Sequence, residues 1–434
     1  MPSVIASDRC RNIHDPITKL DHDILGRKVL AQVIQERLRK SDLGALGIYG
    51  GWGTGKTSLL NLLCELNKQQ SIQSGHEFLH IEVIDAWKYE AGEGLLIPVI
   101  VRLKKMLKKT DLPESWRVIT RRVLATATLS VSDVLLRRIA QIDIKEIAQT
   151  YEEIVKKDKQ RDDSSILQEW EEWSDEIENT EQAFGKIIDF VLKENDYKRL
   201  VICIDNLDRC SPENAVRLLE SVKNFFSASE CIWVFAMDAE VIASYIDHKY
   251  EGTSVDGNSY LDKIIPEQYH LSFSPEENDR RVFDLIYEAT GGFVTLNDKK
   301  RLPQIPRVMV PRRLKKSAGK FAEFFDGGAQ NAERDTVFLL SLLYHTWPEF
   351  YERLSSPSIK HIGDVLANFF KNLKTEGMGL QWGEYSPSPL DKKFTEDQDL
   401  IYFLRTAFPM QNNSAELVQE IYRAMGGLRQ IGLP

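Results

Sequence analysis

The sequence lacks the long apolar runs that place a chain in or across a membrane. No window has the 18 or more apolar residues of a membrane-spanning helix, and the nearest candidate, 123–136, is shorter and contains Asp133. The first residues also lack the basic stretch followed by an apolar run that a signal peptide needs. We therefore expect a cytoplasmic protein with no membrane span.

Paired cysteines are missing as well. The five cysteines form no Cys-x-x-Cys pair, and no His-rich segment accompanies them. Three of them lie within or beside strongly apolar runs, which is typical of small core residues in a reducing compartment.

The chain has no strong excess of basic charge and no evident internal repeat. Its net charge of -9 comes from 56 basic and 65 acidic residues, which favours solubility and argues against a generally basic nucleic-acid surface. A local basic patch on the surface is still compatible with this acidic net charge. The length of 434 residues and the 42% hydrophobic content indicate a globular protein of two or three domains.

What the first half of the sequence does contain is an alternation of buried strands and amphipathic helices. Apolar runs suited to parallel strands occur at 43–49, 78–84, 200–204, 232–237 and 268–273. Helical patterns in the same half occur at 25–40, 58–67, 181–194, 212–226 and 239–248. This alternation predicts an α/β fold with a mainly parallel five-stranded sheet and right-handed crossovers.

Two further parts of the chain interrupt or follow that pattern. The segment 94–180 is too long for a simple connection, and its charged second half is typical of a solvated helical insertion or of a partner-binding arm. After about residue 274 helical patterns dominate, at 276–289, 312–325, 333–345, 359–374, 398–407 and 415–425. We predict a core formed by 1–93 and 181–273, a helical insertion at 94–180 and a helical C-terminal domain at 274–434.

The strongest chemical signal is a glycine-rich turn between a predicted strand and a predicted helix. Successive backbone N–H groups in such a turn bind phosphate oxygens, and glycine provides the positive φ angles and the close approach that the turn needs. Lys56 is expected to reach the β and γ phosphates, and the Thr57 hydroxyl to ligate magnesium. The predicted phosphate-binding residues are Gly50, Gly51, Trp52, Gly53, Thr54, Gly55, Lys56, Thr57 and Ser58.

An acidic residue ends another apolar run, as magnesium binding at a phosphate site requires. Asp205 follows the strand predicted at 200–204 and is the candidate Walker B aspartate. Asp208 is the candidate carboxylate that orients and deprotonates the attacking water. Asn206, directly after Asp205, cannot act as a base, so a water positioned from residue 206 would make hydrolysis slow.

Two further charged positions have more than one interpretation. Asp238 ends the run at 232–237 and suits either a γ-phosphate sensor or the N-cap of the next helix. The basic cluster at 311–316 suits an arginine that binds the γ phosphate, a solvated helix start or a nucleic-acid patch.

Together these motifs resemble the KAP family of P-loop NTPases, relatives of the STAND and AAA-type ATPases. The resemblance covers about residues 20–325. It rests on the tryptophan-containing P-loop, on Ile84-Asp85-Ala86-Trp87-Lys88-Tyr89-Glu90, on Asp205-Asn206-Leu207-Asp208-Arg209-Cys210, on Tyr260-Leu261-Asp262-Lys263-Ile264-Ile265, and on Pro311-Arg312-Arg313-Leu314-Lys315.

The resemblance implies the additional-strand type of P-loop fold, with Arg312 as the nucleotide-sensing arginine and Arg27 near the adenine. Asn206 departs from the family pattern, in which a second aspartate follows the first, and the insertion lacks the membrane helices of many relatives. Bacterial members are associated with defence against phage.

Three functions compete on this sequence. The first is an ATPase switch that binds ATP and Mg²⁺, and the second is a slowly hydrolysing or non-hydrolysing scaffold that binds protein partners or further copies of itself through the insertion or the C-terminal domain. The third is a small-molecule or nucleoside kinase, for which the sequence has no readable second substrate pocket or lid signature. No Asn-Lys-x-Asp guanine-reading sequence is present, which favours ATP over GTP.

Overall fold

The structure is a computed structural model, and it is described over part of the chain. The described residues are 15–40, 44–90, 97–106, 182, 184–223, 230–271, 275–296, 299–326, 332–354, 393–394, 396–408 and 421. The predicted helix at 359–374, most of the one at 415–425 and most of the insertion lie outside these ranges. The chain divides into a P-loop unit, Pro16–Asp23 with Arg27–Ser272, and a C-terminal unit, Met1–Asp15 and Ile24–Gly26 with Phe273–Pro434.

Five parallel strands form the centre of the P-loop unit. They are β1 (Ala45–Tyr49), β2 (Leu79–Asp85), β3 (Arg199–Asp205), β4 (Cys231–Met237) and β5 (Glu267–His270). Their spatial order is β2-β3-β4-β1-β5, and all four pairings are parallel. The predicted α/β P-loop fold is therefore confirmed.

Helices cover both faces of this sheet. They are α1 (Arg27–Lys40), α2 (Lys56–Ser74), α3 (Ile97–Met106), α4 (184–195), α5 (Pro212–Val222), α6 (Ala239–Lys249) and α7 (Gly257–Ile264). Because successive side chains of a strand point to opposite faces, β4 divides its residues between two cores. Val234 packs with the core under α1 and α2, and Trp233 and Phe235 pack with the core under α3 to α7.

Burial explains why the central strands were readable from the sequence. All residues of β4, and all residues of β3 after Arg199, are buried, so these strands are continuous apolar runs. β5 is a polar edge strand of four residues and is shorter than the predicted 268–273, because it pairs only with Leu46 to Tyr49 of β1.

Helix α2 is longer than its apolar pattern predicted. It begins at Lys56, immediately after Gly55 in a left-handed conformation, and continues on polar residues to Ser74. Gly75, also left-handed with φ of 69°, ends it. The helix that follows the glycine-rich turn therefore begins at the lysine itself.

The C-terminal unit is helical over its described residues. Its helices are α8 (Pro275–Ala289), α9 (Pro311–Asp326), α10 (Arg334–Thr346), α11 (Pro348–Leu354) and α12 (Gln398–Ala407). One aromatic and aliphatic core joins them, and Ser341 in α10 donates a 2.8 Å hydrogen bond to the carbonyl of Ser317 in α9. No helix in the described ranges is long and apolar enough to cross a lipid bilayer.

Candidate functional site

The P-loop connects β1 to α2 at the carboxyl edge of the sheet. Gly53 and Gly55 have φ angles of 87° and 103°, which side chains other than glycine rarely adopt. A Cβ at Gly50 would lie 2.8 Å from Thr54 Oγ1 and 3.1 Å from Leu271 Cβ. At Gly55 a Cβ would meet nothing within 4 Å, so open space adjoins the loop at the N-terminus of α2. This geometry fits the phosphate-binding role predicted for the loop.

Lys56 is a buried ammonium, only 7% exposed. Its Nζ donates hydrogen bonds to the carbonyls of Gly50 at 2.7 Å and Gly51 at 3.3 Å. Burial lowers the pKa of Lys56, and the nearby carboxylates of Asp208, Asp238 and Asp205 oppose that shift. The lysine is therefore held against its own loop, in the position where a phosphate would compete for it.

Thr57 and Asp205 form the direct link between the P-loop and strand β3. Thr57 Oγ1 donates a 2.7 Å hydrogen bond to Asp205 Oδ2, and the backbone N–H of Asn206 donates to Asp205 Oδ1 at 2.9 Å. Burial raises the pKa of Asp205, and these two hydrogen bonds oppose the shift. A hydroxyl and a carboxylate in contact are the oxygen donors that magnesium prefers, so the residues fit the predicted ion.

Asp208 lies in a short 3₁₀ turn, Leu207–Arg209, directly after β3. Its Oδ2 is 3.8 Å from Lys56 Nζ, and both side chains are 8% exposed. Its Oδ1 is buried without a hydrogen-bond partner among the described residues. A buried carboxylate oxygen normally has a donor, so this atom fits a site that a water or a ligand completes.

A third carboxylate, Asp85, has no role in the sequence-based site. It ends β2 in register with Asp205 on β3. Asn206 Nδ2 donates a 3.0 Å hydrogen bond to Asp85 Oδ1, which joins the ends of the two strands. Both are polar residues at strand ends, but such residues are common, and this contact spans 121 positions of the sequence.

Arg209 lies between two exposed indoles. Its guanidinium carbon is 5.7 Å from the ring centre of Trp52 in the P-loop and 5.4 Å from that of Trp87, which follows β2. The indoles are 61% and 52% exposed. This cation–π stack couples the turn that carries Asp208 to the P-loop. Both tryptophans belong to the motifs that carry the family resemblance, but their common partner was not predictable from the sequence.

Two predicted positions near the loop have specific contacts of their own. Ser58 Oγ accepts a 3.2 Å hydrogen bond from the backbone N–H of Ile17. Asp238 stands at the N-cap of α6, but its side chain makes no capping hydrogen bond, so the side-chain capping interpretation is not what the structure shows. Its Oδ2 lies 3.8 Å from a Cβ placed on Gly51.

The two predicted arginines belong to different units of the chain. Arg27 is the first residue of α1, and its backbone N–H donates to Asp23 Oδ1 at 3.0 Å. Arg312 is the second residue of α9 in the C-terminal unit. Their roles toward adenine and γ phosphate remain predictions.

Comparison with known families agrees with this geometry. A model of the KAP family P-loop domain matches residues 27–317. The chain belongs to the KAP family. The resemblance inferred from the motifs is confirmed, and the KAP match contains every residue predicted for the site, from Arg27 to Arg312. A KAP P-loop domain implies nucleotide binding.

Three curated relatives each match part of this chain. The chain is 29% identical over 104 residues to the kinase D-interacting substrate of 220 kDa from Rattus norvegicus and from Homo sapiens, which covers 23% of this chain and 6% of each relative. It is 24% identical over 247 residues to the phage T7 exclusion protein of Escherichia coli K12, covering 54% of this chain and 31% of that protein. The matches thus span a minor part of each relative.

Proposed function

We propose that this KAP protein binds ATP with Mg²⁺, hydrolyses it, and acts as a nucleotide-dependent switch. The observation that carries the proposal is the buried group formed by Lys56, Asp205 and Asp208 at the open end of the P-loop. Lys56 Nζ lies 3.8 Å from Asp208 Oδ2, and Asp205 is hydrogen-bonded to Thr57. A cation for phosphate, oxygen donors for magnesium and a carboxylate for water are therefore adjacent.

The chemistry assigned to these residues is attack of water on the γ phosphorus. The new P–O bond forms as the bond to the β-phosphate oxygen breaks, which yields ADP and phosphate, and Asp208 accepts the proton of the water. Lys56 offsets the negative charge of the phosphate oxygens. Thr57 and Asp205 would hold magnesium, which would supply further neutralisation of that charge.

The switch requires contacts that differ between the ATP and ADP states. Arg312 is the residue proposed to sense the γ phosphate, and Arg27 the one near adenine. The proposed core consists of residues 1–93 and 181–273. Protein partners or further copies of the chain are proposed to bind the insertion at 94–180 or the helical domain at 274–434.

The proposed setting is a bacterial anti-phage defence complex. Membership of the KAP family and the similarity to the phage T7 exclusion protein support this setting. The link to phage defence comes from those relatives, and no residue described above selects a phage component.

A second function is favoured by one residue. The residue directly after Asp205 is Asn206, which carries an amide in place of a carboxylate. This amide suits a scaffold that binds ATP and hydrolyses it slowly or not at all. The orphaned Oδ1 of Asp208 favours hydrolysis, because a scaffold needs no buried acceptor beside Lys56.

Phosphate release separates the two functions. Purified protein at saturating Mg·ATP is expected to release phosphate over repeated turnovers, and Asp208→Asn is expected to bind ATP with unchanged affinity but to turn it over about a hundredfold more slowly, the usual size of a lost general base. Wild-type protein that binds ATP and releases none over hours would support the scaffold. Equal rates for wild type and Asp208→Asn would contradict the role of Asp208.

A further inference from the structure

Asp85 and Asn206 form an acid–amide pair across the ends of β2 and β3. The amide nitrogen of Asn206 donates to Asp85 Oδ1 at 3.0 Å. The partner is a carboxylate, which only accepts, so the amide orientation follows from the chemistry of the pair. Lys88 Nζ lies 3.7 Å from Asp85 Oδ2, and the Lys88 side chain is 73% exposed.

The pair faces the nucleotide side of the sheet. Asp85 is in register with Asp205, and residues in register on neighbouring parallel strands point to the same face. For Asp205 that face is the one toward α2, because its Oδ2 contacts Thr57 in the first turn of α2. Asp85 therefore lies on the magnesium side, one strand further from the P-loop. The negative charge of Asp85 also acts on Asp205, where it contributes to a raised pKa.

The backbone of Asn206 suits only a few residue types. It is left-handed, with φ of 60° and ψ of 29°, a conformation that asparagine and aspartate tolerate better than other non-glycine residues. An aspartate at 206 would fit this backbone but would place a second carboxylate where the amide now meets Asp85. Two carboxylates at that separation repel each other, so asparagine is the residue that Asp85 requires.

We propose that Asp85 supplies, from β2, the second carboxylate of the magnesium side, and that Asn206 is the positioning residue that holds it there. The site then keeps two acidic residues, Asp205 in contact with Thr57 and Asp85 one strand further away, although the residue after Asp205 carries an amide. Asn206 is thus the amide half of an acid–amide pair, and we expect turnover to depend on it. The inference rests on the proposed ATPase function.

A reciprocal exchange tests the pair. Asp85→Asn and Asn206→Asp are each expected to lower phosphate release about tenfold or more, since a hydrogen bond to a charged group is lost or replaced by repulsion. The double variant Asp85→Asn with Asn206→Asp restores one amide and one carboxylate, and it is expected to regain turnover to within about threefold of wild type.

The same variants have a second readout in binding. At fixed fluorescent ATP analogue, Asp85→Asn is expected to need about tenfold more Mg²⁺ for half-maximal binding, the size typical of a lost partner of a metal ligand, and the double variant to need the wild-type concentration. Thermal unfolding of each variant checks folding. If Asp85→Asn does not fold, the comparison of Asn206→Asp with the double variant carries the test, because the double variant must be the more active.

A matched control uses a similar bond away from the site. Gln69 Nε2 donates a 3.0 Å hydrogen bond to Glu65 Oε1 on the exposed face of α2. Glu65→Gln, Gln69→Glu and their double variant are expected to leave turnover and Mg²⁺ dependence unchanged.

The outcomes separate this inference from the proposed function. Wild-type protein that binds no ATP would contradict both. Normal binding and turnover in wild type, with Asp85→Asn equal to wild type or with losses that simply add in the double variant, would overturn the role of the pair alone.

Discussion

Lys56, Thr57 and Asp205 show how far single residues were predictable. A P-loop predicts the roles of its own lysine and threonine because they are adjacent in one short motif, and a strand-ending aspartate is the expected partner of that threonine. The 2.7 Å contact between Thr57 and Asp205 agrees with this reasoning. The bond between Asp85 and Asn206 was not predictable, because strand-end polar residues are common and register is a property of the assembled sheet.

Neutralising Asp205 and neutralising Asp208 are expected to have different effects on the Mg²⁺ dependence of ATP binding. Asp205→Asn removes the charge that faces Thr57, so half-maximal ATP binding should require about tenfold to a hundredfold more Mg²⁺. Asp208→Asn should leave that Mg²⁺ dependence unchanged, because Asp208 faces Lys56. Titrations of ATP binding against Mg²⁺ measure both, and the same Mg²⁺ requirement in the two variants would argue against the separate roles.

At the scale of elements, burial decides which boundaries the sequence revealed. The predicted limits of β4 are within one residue of the observed Cys231–Met237 because the whole strand is buried. The predicted end of α2 was wrong because the helix continues on polar residues that carry no apolar period, and Gly75 ends it. The predicted limits of the edge strand β5, 268–273, also differ from the observed Glu267–His270, because its residues are mostly polar and form no clear apolar run.

The stack of Trp52, Arg209 and Trp87 links three elements that meet at the site. Phosphate binding in the P-loop should change the environment of Trp52, so tryptophan emission is expected to change on addition of Mg·ATP. Trp52→Phe should remove most of that change while calorimetry on the same sample still shows ATP binding. A full emission change in Trp52→Phe would exclude the P-loop indole as its source.

Edge strand β2 carries an acid–base cluster away from the nucleotide site. His80 Nδ1 and Nε2 each lie 3.2 Å from a carboxylate, of Glu77 and Glu82, and the ring stacks on Tyr197 with centroids 4.6 Å apart. Burial opposes protonation, but the two carboxylates outweigh it and raise the pKa of His80. Arg102 Nη1 lies 3.7 Å from Glu82 Oε2 and adds a positive charge to this cluster.

The raised pKa of His80 predicts a pH-dependent stability. Protonated His80 stabilises the folded state, so its contribution is full below the unfolded-state pKa of about 6.5 and is lost as the pH rises through the folded-state pKa. Relative to His80→Gln, wild type should lose thermal stability as the pH rises above about 6.5. Parallel curves of unfolding midpoint against pH for the two proteins would show that His80 makes no such contribution.

At the scale of the whole molecule, the alternation of apolar runs and helices was sufficient to predict the α/β class. The resemblance to KAP proteins added the strand order, which periodicity cannot give because order depends on crossovers. The domain limits at 94–180 and 274 remain proposals. The chain divides into two units, and one boundary between them in the sequence lies between residues 272 and 273.

The measurement that tests the account most directly is calorimetric titration of the full chain with Mg·ATP. Wild type is expected to bind about one ATP per chain, and Lys56→Ala to lose that binding, because the ammonium is the one P-loop side chain placed to offset phosphate charge. Thermal unfolding without nucleotide checks that Lys56→Ala is folded. Equal binding by both proteins, or none by folded wild type, would contradict the central claim.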